Sequence, residues 1–416
     1  MSSSARPEHE EGDGLDPAGV MRAVYIGRWF RGEDDSGLRA LAEMVDLTVY
    51  GHRARLPGQI GEPPPAPSDY RARVLHPIAL TRRGPSLWLY RGLARALDQD
   101  RPDVIHVVAE PWQIVPVQTA RWATRNPSVA LVVHGAERNW WAVPIATRLG
   151  RGLLARRTLS RADGFLSEST AGLDEARQFG IASQTVLAVV NTNPRDPATF
   201  HPPNDDSEQR IARECLGLAP TGIGIGFLGR LSEEKGPLLF VDAITHVMRS
   251  HGPQAWAATA GSGPQEAEVR RRGAEVKLTH LGELRYPEEV ATFLRGIDIL
   301  VVPSVRLGRW EEQGPRAVIE AMLSGCVVVG TPVGGIPEML NGAGIVVGDA
   351  GAPSLAAGIA EAISIARHSD LRSDARTRAI ELYSGEGVAN AMLCVWKEAL
   401  SHRRANSSQT GSSCPV

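Results

Sequence analysis

The chain has 416 residues, 43% of them hydrophobic and 22% charged, which excludes wholesale disorder and predicts two domains with ample core. With 45 basic against 47 acidic residues the formal net charge is −2, so there is no global field for nucleic acid. No apolar run is long enough to span a membrane, and the four cysteines (Cys215, Cys326, Cys394, Cys414) share no C-x-x-C spacing that would build a zinc cage or a disulfide framework.

In chain order, residues 1–20 are acidic with no apolar centre, so they read as a disordered tail rather than a secretion signal, and a cytoplasmic location is expected. Short apolar runs then alternate with helical stretches. Val24–Ile26 comes first, followed by LTVY (47–50), VIHVV (104–108), ALVVH (130–134), GFLS (164–167) and VLAVV (186–190). A Pro-rich stretch at 56–74 reads as a loop over this first unit. The linker, 191–221, opens with a Pro-, Asn- and Asp-rich break at 191–210. A second series follows: IGIGFLG (223–229), WAATAG (256–261), VKLTHLG (276–282), ILVVPS (299–304), VVVGT (327–331) and IVVG (345–348). Most runs are β-branched and apolar throughout, the signature of parallel strands covered on both faces. Amphipathic segments such as 237–250 and 288–297 supply the crossovers. The expected fold class is therefore α/β: two doubly wound, Rossmann-like parallel sheets, 21–190 and 222–380, facing across a cleft. A C-terminal helix at 381–402 crosses back to the first unit in this reading, and a disordered tail occupies 403–416.

Two windows carry chemistry. In FLGRLSEEKGPLLFVDAI (227–244) a strand ends at Gly229, and Arg230 and Lys235 follow on a polar loop. Gly236 then gives way to Pro237, a residue suited to the first position of a helix. Two cations beside a helix N-terminus suit a diphosphate; they also suit a solvated basic loop. All but three of the 45 basic residues are arginine, so a surviving lysine hints at a need for a compact ammonium.

The second window is 309–340. Glu312 and Glu320 have seven residues between them, and Pro315 is placed to start a helix, which leaves Glu312 in the preceding loop and Glu320 about 1.5 turns inside. Carboxylates accept from sugar hydroxyls, so such a pair reads carbohydrate; the bland alternative is a dipole partner and a surface acid.

Together these windows resemble the family-four glycosyltransferases of the two-domain GT-B fold, which show a G-R-x-x-x-E-K-G element and an E-x7-E element. Here the first reads Gly229-Arg230-Leu231-Ser232-Glu233-Glu234-Lys235-Gly236, one residue longer than the commonest spacing, and the second is Glu312 and Glu320. The likeness continues in GSGP (261–264), DILVVPS (298–304) and VGGIPEML (333–340), and more thinly in RPDVIHV (101–107), VVHG (132–135), ADGFLSES (162–169) and NPRDPATFHP (193–202). The resemblance implies a retaining transferase that moves a sugar from a UDP- or GDP-type nucleotide sugar to the hydroxyl of a small-molecule or lipid-linked acceptor. No cofactor and no metal is implied. Arg230 and Lys235 would hold the diphosphate, Glu320 the ribose and Glu312 the sugar ring. Gln313, Gly314 and Pro315 would line the donor site with Gly229, and backbone near Leu281 and Gly282 would face the base. His134 would stand near the reacting centre. A nucleotide-sugar epimerase or a sugar phosphorylase is the alternative on this fold.

The family's glycine-rich loop after the first strand is replaced here by YIGRWFRGEDDSG (25–37), where Gly27 and Arg28 are the candidates for acceptor or phosphate contact and Arg31 is a second arginine. Glu311 adjoins Glu312, and the seven-residue interval to Glu320 selects Glu312. The arginine-rich composition suggests an actinobacterial source. GIGFLG (224–229) fits G-x-G-x-x-G but lies within a strand, with Arg249 and Ser250 where a ribose-binding acid belongs, so it is discounted. Asp98-Gln99-Asp100 is discounted as a metal motif. Residues 139–163, with Trp140, Trp141 and arginines 148, 151, 156, 157 and 161, read as a solvated helix with its apolar side in the core, a peripheral membrane helix being the other possibility.

Overall fold

The computed structural model describes residues 19–27, 35–51, 70–79, 88–135, 145–252, 254–308, 310–366 and 369–410. The first domain runs β1 (Arg22–Ile26), α1 (Ser36–Met44), β2 (Asp46–Gly51), β3 (Arg71–Val74), β4 (His76–Ala79), β5 (Trp88–Arg91), α2 (Leu93–Asp100) and β6 (Val104–Val108). It continues through α3 (Ile114–Arg125), β7 (Ala130–Gly135), α4 (Ile145–Leu159), β8 (Gly164–Ser167), α5 (Thr170–Gln178) and β9 (Val186–Val189). Seven strands form one parallel sheet in the order β3-β2-β1-β6-β7-β8-β9, and β4 and β5 pair as an antiparallel hairpin.

The second domain runs α6 (Asp206–Cys215), β10 (Ile223–Leu228), α7 (Pro237–His251), β11 (Ala255–Ala260), α8 (Glu266–Gly273), β12 (Thr279–His280), α9 (Glu288–Gly296) and β13 (Ile299–Val302). It closes with α10 (Arg316–Leu323), β14 (Val327–Gly330), α11 (Ile336–Leu340), β15 (Ile345–Val346), α12 (Ala352–Ile365) and α13 (Ser369–Tyr383). Its six strands are parallel in the order β12-β11-β10-β13-β14-β15. The long α14 (Gly385–Thr410) returns to the first domain and packs on α1, β7 and β9.

Each sheet separates two apolar layers, which is why its strands carry apolar side chains on both faces. Trp396 of α14 is fully buried in one layer, which it shares with Leu41 and Val132. By area, burying an indole contributes about 5 kcal/mol at most. A shared device pins both sheets at their amino edge. Asp103, just before β6, accepts from Arg22 N of β1 at 2.8 Å, and Asp298, just before β13, accepts from Gly224 N of β10 at 2.8 Å. Each carboxylate satisfies a strand-end donor that the ladder leaves over.

Several expectations are corrected. Residues 206–221 are not linker: α6 packs on α9, with Arg213 bonded to Asp298 at 2.9 Å, so they belong to the second domain. Helix α14 continues through 403–410, where a disordered tail was expected. The carboxyl end of the Pro-rich 56–74 stretch is strand β3, which Asp46 holds through Arg71 at 2.5 Å; residues 56–69 lie outside those described. Strands β12 and β15 are only two residues each, shorter than their apolar runs. In α4 the apolar side does not turn inward over the first half: Ile145, Leu149 and Leu153 are 76%, 72% and 57% exposed, and burial begins with Ala155, Thr158 and Leu159.

Candidate active site

The site forms where β10 and β13 end, the edge at which an open parallel sheet presents its loops. Leaving β10, the chain passes Gly229 and the exposed Arg230, makes one 3-10 turn at Glu233–Lys235, and enters α7 with Pro237 in the first turn. Gly236 joins them at φ +66°, and a Cβ there would lie 2.0 Å from Pro303 O, so only glycine lets the start of α7 close against the end of β13. The positive end of α7 thus stands next to Lys235 and Arg230.

From the other side comes the loop before α10. Gly335 N donates to Glu312 O at 2.9 Å, and a Cβ on Gly334 would lie 1.7 Å from that same oxygen. The diglycine therefore fixes the backbone of Glu312. Its side chain is buried: Oε2 accepts from Lys235 Nζ at 2.5 Å and from Ser304 Oγ at 3.1 Å. The Lys235 ammonium also lies over the Trp310 ring, 5.2 Å from its centroid.

Glu320 is the fifth residue of α10 and is buried, not the surface acid that its spacing alone would suggest. Its Oε1 accepts from Arg195 Nε of the interdomain segment at 2.9 Å. Burial raises its carboxyl above the usual range, opposed by the Arg195 charge and by hydrogen bonds from Arg195 and Tyr286. Gly229, Arg230, Lys235, Glu312, Pro315 and Glu320 all line one cavity of about 310 Å³.

Other expected residues lie around this cavity. Gln313 and Gly314 do not line it. Gln313 follows Glu312 with its Oε1 buried, and a Cβ on Gly314 would lie 2.9 Å from Asn191 Nδ2 of the segment between the domains. Gly282 lies two residues past β12 and does not line the cavity either; its carbonyl accepts from Gly261 N at 2.7 Å. Leu281 beside it packs against the apolar core.

In the first domain Gly27 closes β1, its N–H donating to Tyr50 O at 3.1 Å, whereas Arg28 and Arg31 lie outside the described residues. His134 is the penultimate residue of β7. It is buried, its Nδ1 is 3.5 Å from Thr192 Oγ1, and burial lowers its pKa to about 4, so the ring is neutral at pH 7. Its Nε2 has no hydrogen-bond partner among the described residues.

Sequence reading passed over four groups near this edge. Ser304 and Trp310 flank the Lys235–Glu312 pair; both lay in quoted windows, with no spacing rule to single them out. Glu168 follows β8, accepts from Asn193 Nδ2 at 3.1 Å, and has its carboxyl raised by burial. Arg195 sits in the segment read only as a linker, yet it supplies the partner of Glu320.

The two halves match two family models. Residues 38–191 match the model described as Glycosyltransferase Family 4, and residues 222–364 the one described as Glycosyl transferases group 1. The chain belongs to the family-four glycosyltransferases. As a family-four chain it also shares its architecture with solved GT-B structures. An Anabaena protein, HepE, crystallised with UDP, superposes with a TM-score of 0.65 at 18% identity, covering 91% of this chain and 100% of that one. WaaG, a glycosyltransferase involved in lipopolysaccharide biosynthesis, superposes with a TM-score of 0.55 at 13% identity, covering 91% and 98%. These likenesses establish the fold.

Among curated relatives, the lipopolysaccharide core mannosyltransferase LpsB of Rhizobium meliloti is 33% identical over 35% of this chain and 41% of its own length. A D-inositol 3-phosphate glycosyltransferase of Jonesia denitrificans is 31% identical over 52% of each chain. The family-four chain thus spans about half the length, or less, of these relatives.

Proposed function

We propose that the protein is a glycosyltransferase that moves a sugar, with retention of configuration, from a nucleoside diphosphate sugar to an acceptor hydroxyl without a metal ion. The observation that carries this reading is the convergence of Arg230, Lys235, Glu312 and Glu320 on one cavity at the carboxyl end of β10. HepE, with the same fold, binds UDP, which supports a nucleotide donor.

In this reading Arg230 clamps phosphate oxygens, Lys235 adds a point charge, and the start of α7 adds its dipole. Glu312 accepts from hydroxyls of the donor sugar and Glu320 from those of the ribose. The bond between the anomeric carbon and the phosphate oxygen breaks while the acceptor oxygen bonds to that carbon from the same face. The acceptor proton passes to the leaving diphosphate oxygen. Cations fixed where that oxygen gains charge stabilise the transition state, each by about 3–4 kcal/mol. In this reading His134, neutral and buried near the end of β7, serves from the first domain as a hydrogen-bonding group rather than as a cation.

The test is to incubate the protein with UDP- and GDP-hexoses in the presence and absence of acceptor extracts and to measure nucleotide release and the anomeric configuration of the product. Acceptor-dependent release with a retained anomer supports the reading. Conversion of the donor sugar without any acceptor would replace it with epimerisation.

A further inference from the structure

Helix α4 turns its apolar stripe to solvent. Ile145, Leu149 and Leu153 recur every four residues, so they share one face, and they are 76%, 72% and 57% exposed. At 3.6 residues per turn, Arg156 falls beside Ile145 and Leu149 on that face, and Arg157 lies just beyond Leu153; both arginines are exposed. The second half of the helix is seated through Ala155, Thr158 and Leu159, while Arg151 stacks on Trp112 at 3.8 Å. The neighbouring α3 adds exposed Arg121 and Arg125, and neither helix contains an aspartate or a glutamate.

We propose that the outer face of α4 docks the protein on an anionic lipid bilayer, with the aliphatic stripe in the interface and the arginines of α4 and α3 against the headgroups. Charge complementarity selects this occupant. A helix surface that is purely cationic around a row of aliphatic side chains is what an interfacial helix needs, since apolar burial and attraction to anionic lipid add together. No helix among the described residues is long and apolar enough to cross a membrane, so the contact is peripheral. Strand β7, which carries His134, precedes α4 in the chain, and in this proposal a docked stripe brings the rim of the cleft to the lipid surface. That placement suits a lipid-linked acceptor. The acceptor inference rests on the transferase reading, and the docking does not.

The test is co-sedimentation of the full chain with vesicles of equal parts phosphatidylglycerol and phosphatidylcholine, and with phosphatidylcholine alone, at low and high salt. The wild type is expected to pellet with anionic vesicles and to be released by salt. Leu149→Asp/Leu153→Asp and Arg156→Glu/Arg157→Glu should each lower the bound fraction about tenfold or more. All four side chains are exposed, so circular dichroism and the thermal midpoint should be unchanged. Wild type remaining in the supernatant, or either variant binding as the wild type does, would overturn the proposal. So would a wild-type dimer in light scattering that Leu149→Asp dissolves, because the stripe would then cover a second copy. Vesicle binding without any nucleotide binding would count against the transferase reading and leave the docking in place.

Discussion

Lys235 Nζ and Glu312 Oε2 meet at 2.5 Å although they lie 77 positions apart in the chain. One comes from the loop after β10 and the other from the loop before α10, so the pair ties together the two loops that make the cavity. The lysine is half-buried and the glutamate fully so, and Ser304 and Trp310 hold the remaining sides. A diphosphate arriving at Arg230 adds negative charge beside an ammonium whose position is already fixed, which limits the reorganisation that binding costs.

Replacing Lys235 with alanine should lower kcat/KM by about two to three orders of magnitude, the loss expected for one donor to a developing oxyanion. The fold should survive, because the lysine is 30% exposed and Ser304 Oγ still donates to Glu312 Oε2. Lys235→Arg should not restore the rate, since a planar guanidinium does not reproduce a compact ammonium between Glu312 and Trp310. A nucleotide-release assay decides, and wild-type turnover in Lys235→Ala would remove the residue from the donor site.

Arg195 and Glu320 form the most buried ion pair at the site, with side chains 2% and 5% exposed. Arg195→Ala strands a carboxylate that burial already disfavours as an anion, and it should cost about 3–5 kcal/mol. Urea unfolding at neutral pH measures this. Arg195→Ala/Glu320→Gln should regain part of the loss, because the stranded charge is gone. A cost no larger than that of an exposed pair would show that Tyr286 suffices to hold Glu320.

His134 gives stability a definite pH slope. Its folded pKa is about 4 against an ordinary 6.5, so between these values the unfolded chain binds the proton and the folded chain does not. Unfolding free energy should therefore fall as pH drops from about 6.5 towards 4, by up to about 1.4 kcal/mol per pH unit from this residue. His134→Gln should show a flatter profile over that window than the wild type, whereas identical slopes would contradict a buried neutral ring.

Trp396 reaches from α14 into the first domain and donates from Nε1 to His106 Nδ1 at 3.1 Å. That bond places the proton of neutral His106 on Nε2, and the ring lies 5.9 Å from that of His134. Trp396→Phe keeps most of the packing and leaves the buried acceptor unmet, so about 1–3 kcal/mol should be lost. Chemical denaturation checks this, and a neutral substitution would mean that the hydrogen bond adds nothing to the anchoring of the helix.

The strands were legible because a sheet covered on both faces demands apolar runs: ILVV is uninterrupted, and in VIHVV the one polar residue, His106, is buried against Trp396. The cavity was legible because glycine and proline mark where the backbone must turn: Gly236 and Pro237 located the start of α7, and Pro315 that of α10. Arg195 was not legible, since nothing in NPRDPATF distinguishes a buried partner from a solvated linker arginine until α10 is folded beside it. Helix α6 was missed because its N-cap, Asp205, sits in a run of Asn and Asp that also reads as loop. The exposed stripe of α4 was inverted for a related reason: periodicity shows that a helix has an apolar side but not which way that side turns.

Calorimetric titration of UDP and GDP into the wild type, Lys235→Ala and Glu320→Ala tests the central claim most directly. The account predicts that the wild type binds one of the two diphosphates, more tightly than the matching monophosphate, with affinity about tenfold or more weaker in each variant. A diphosphate bound equally well by all three proteins, or by none of them, would contradict it.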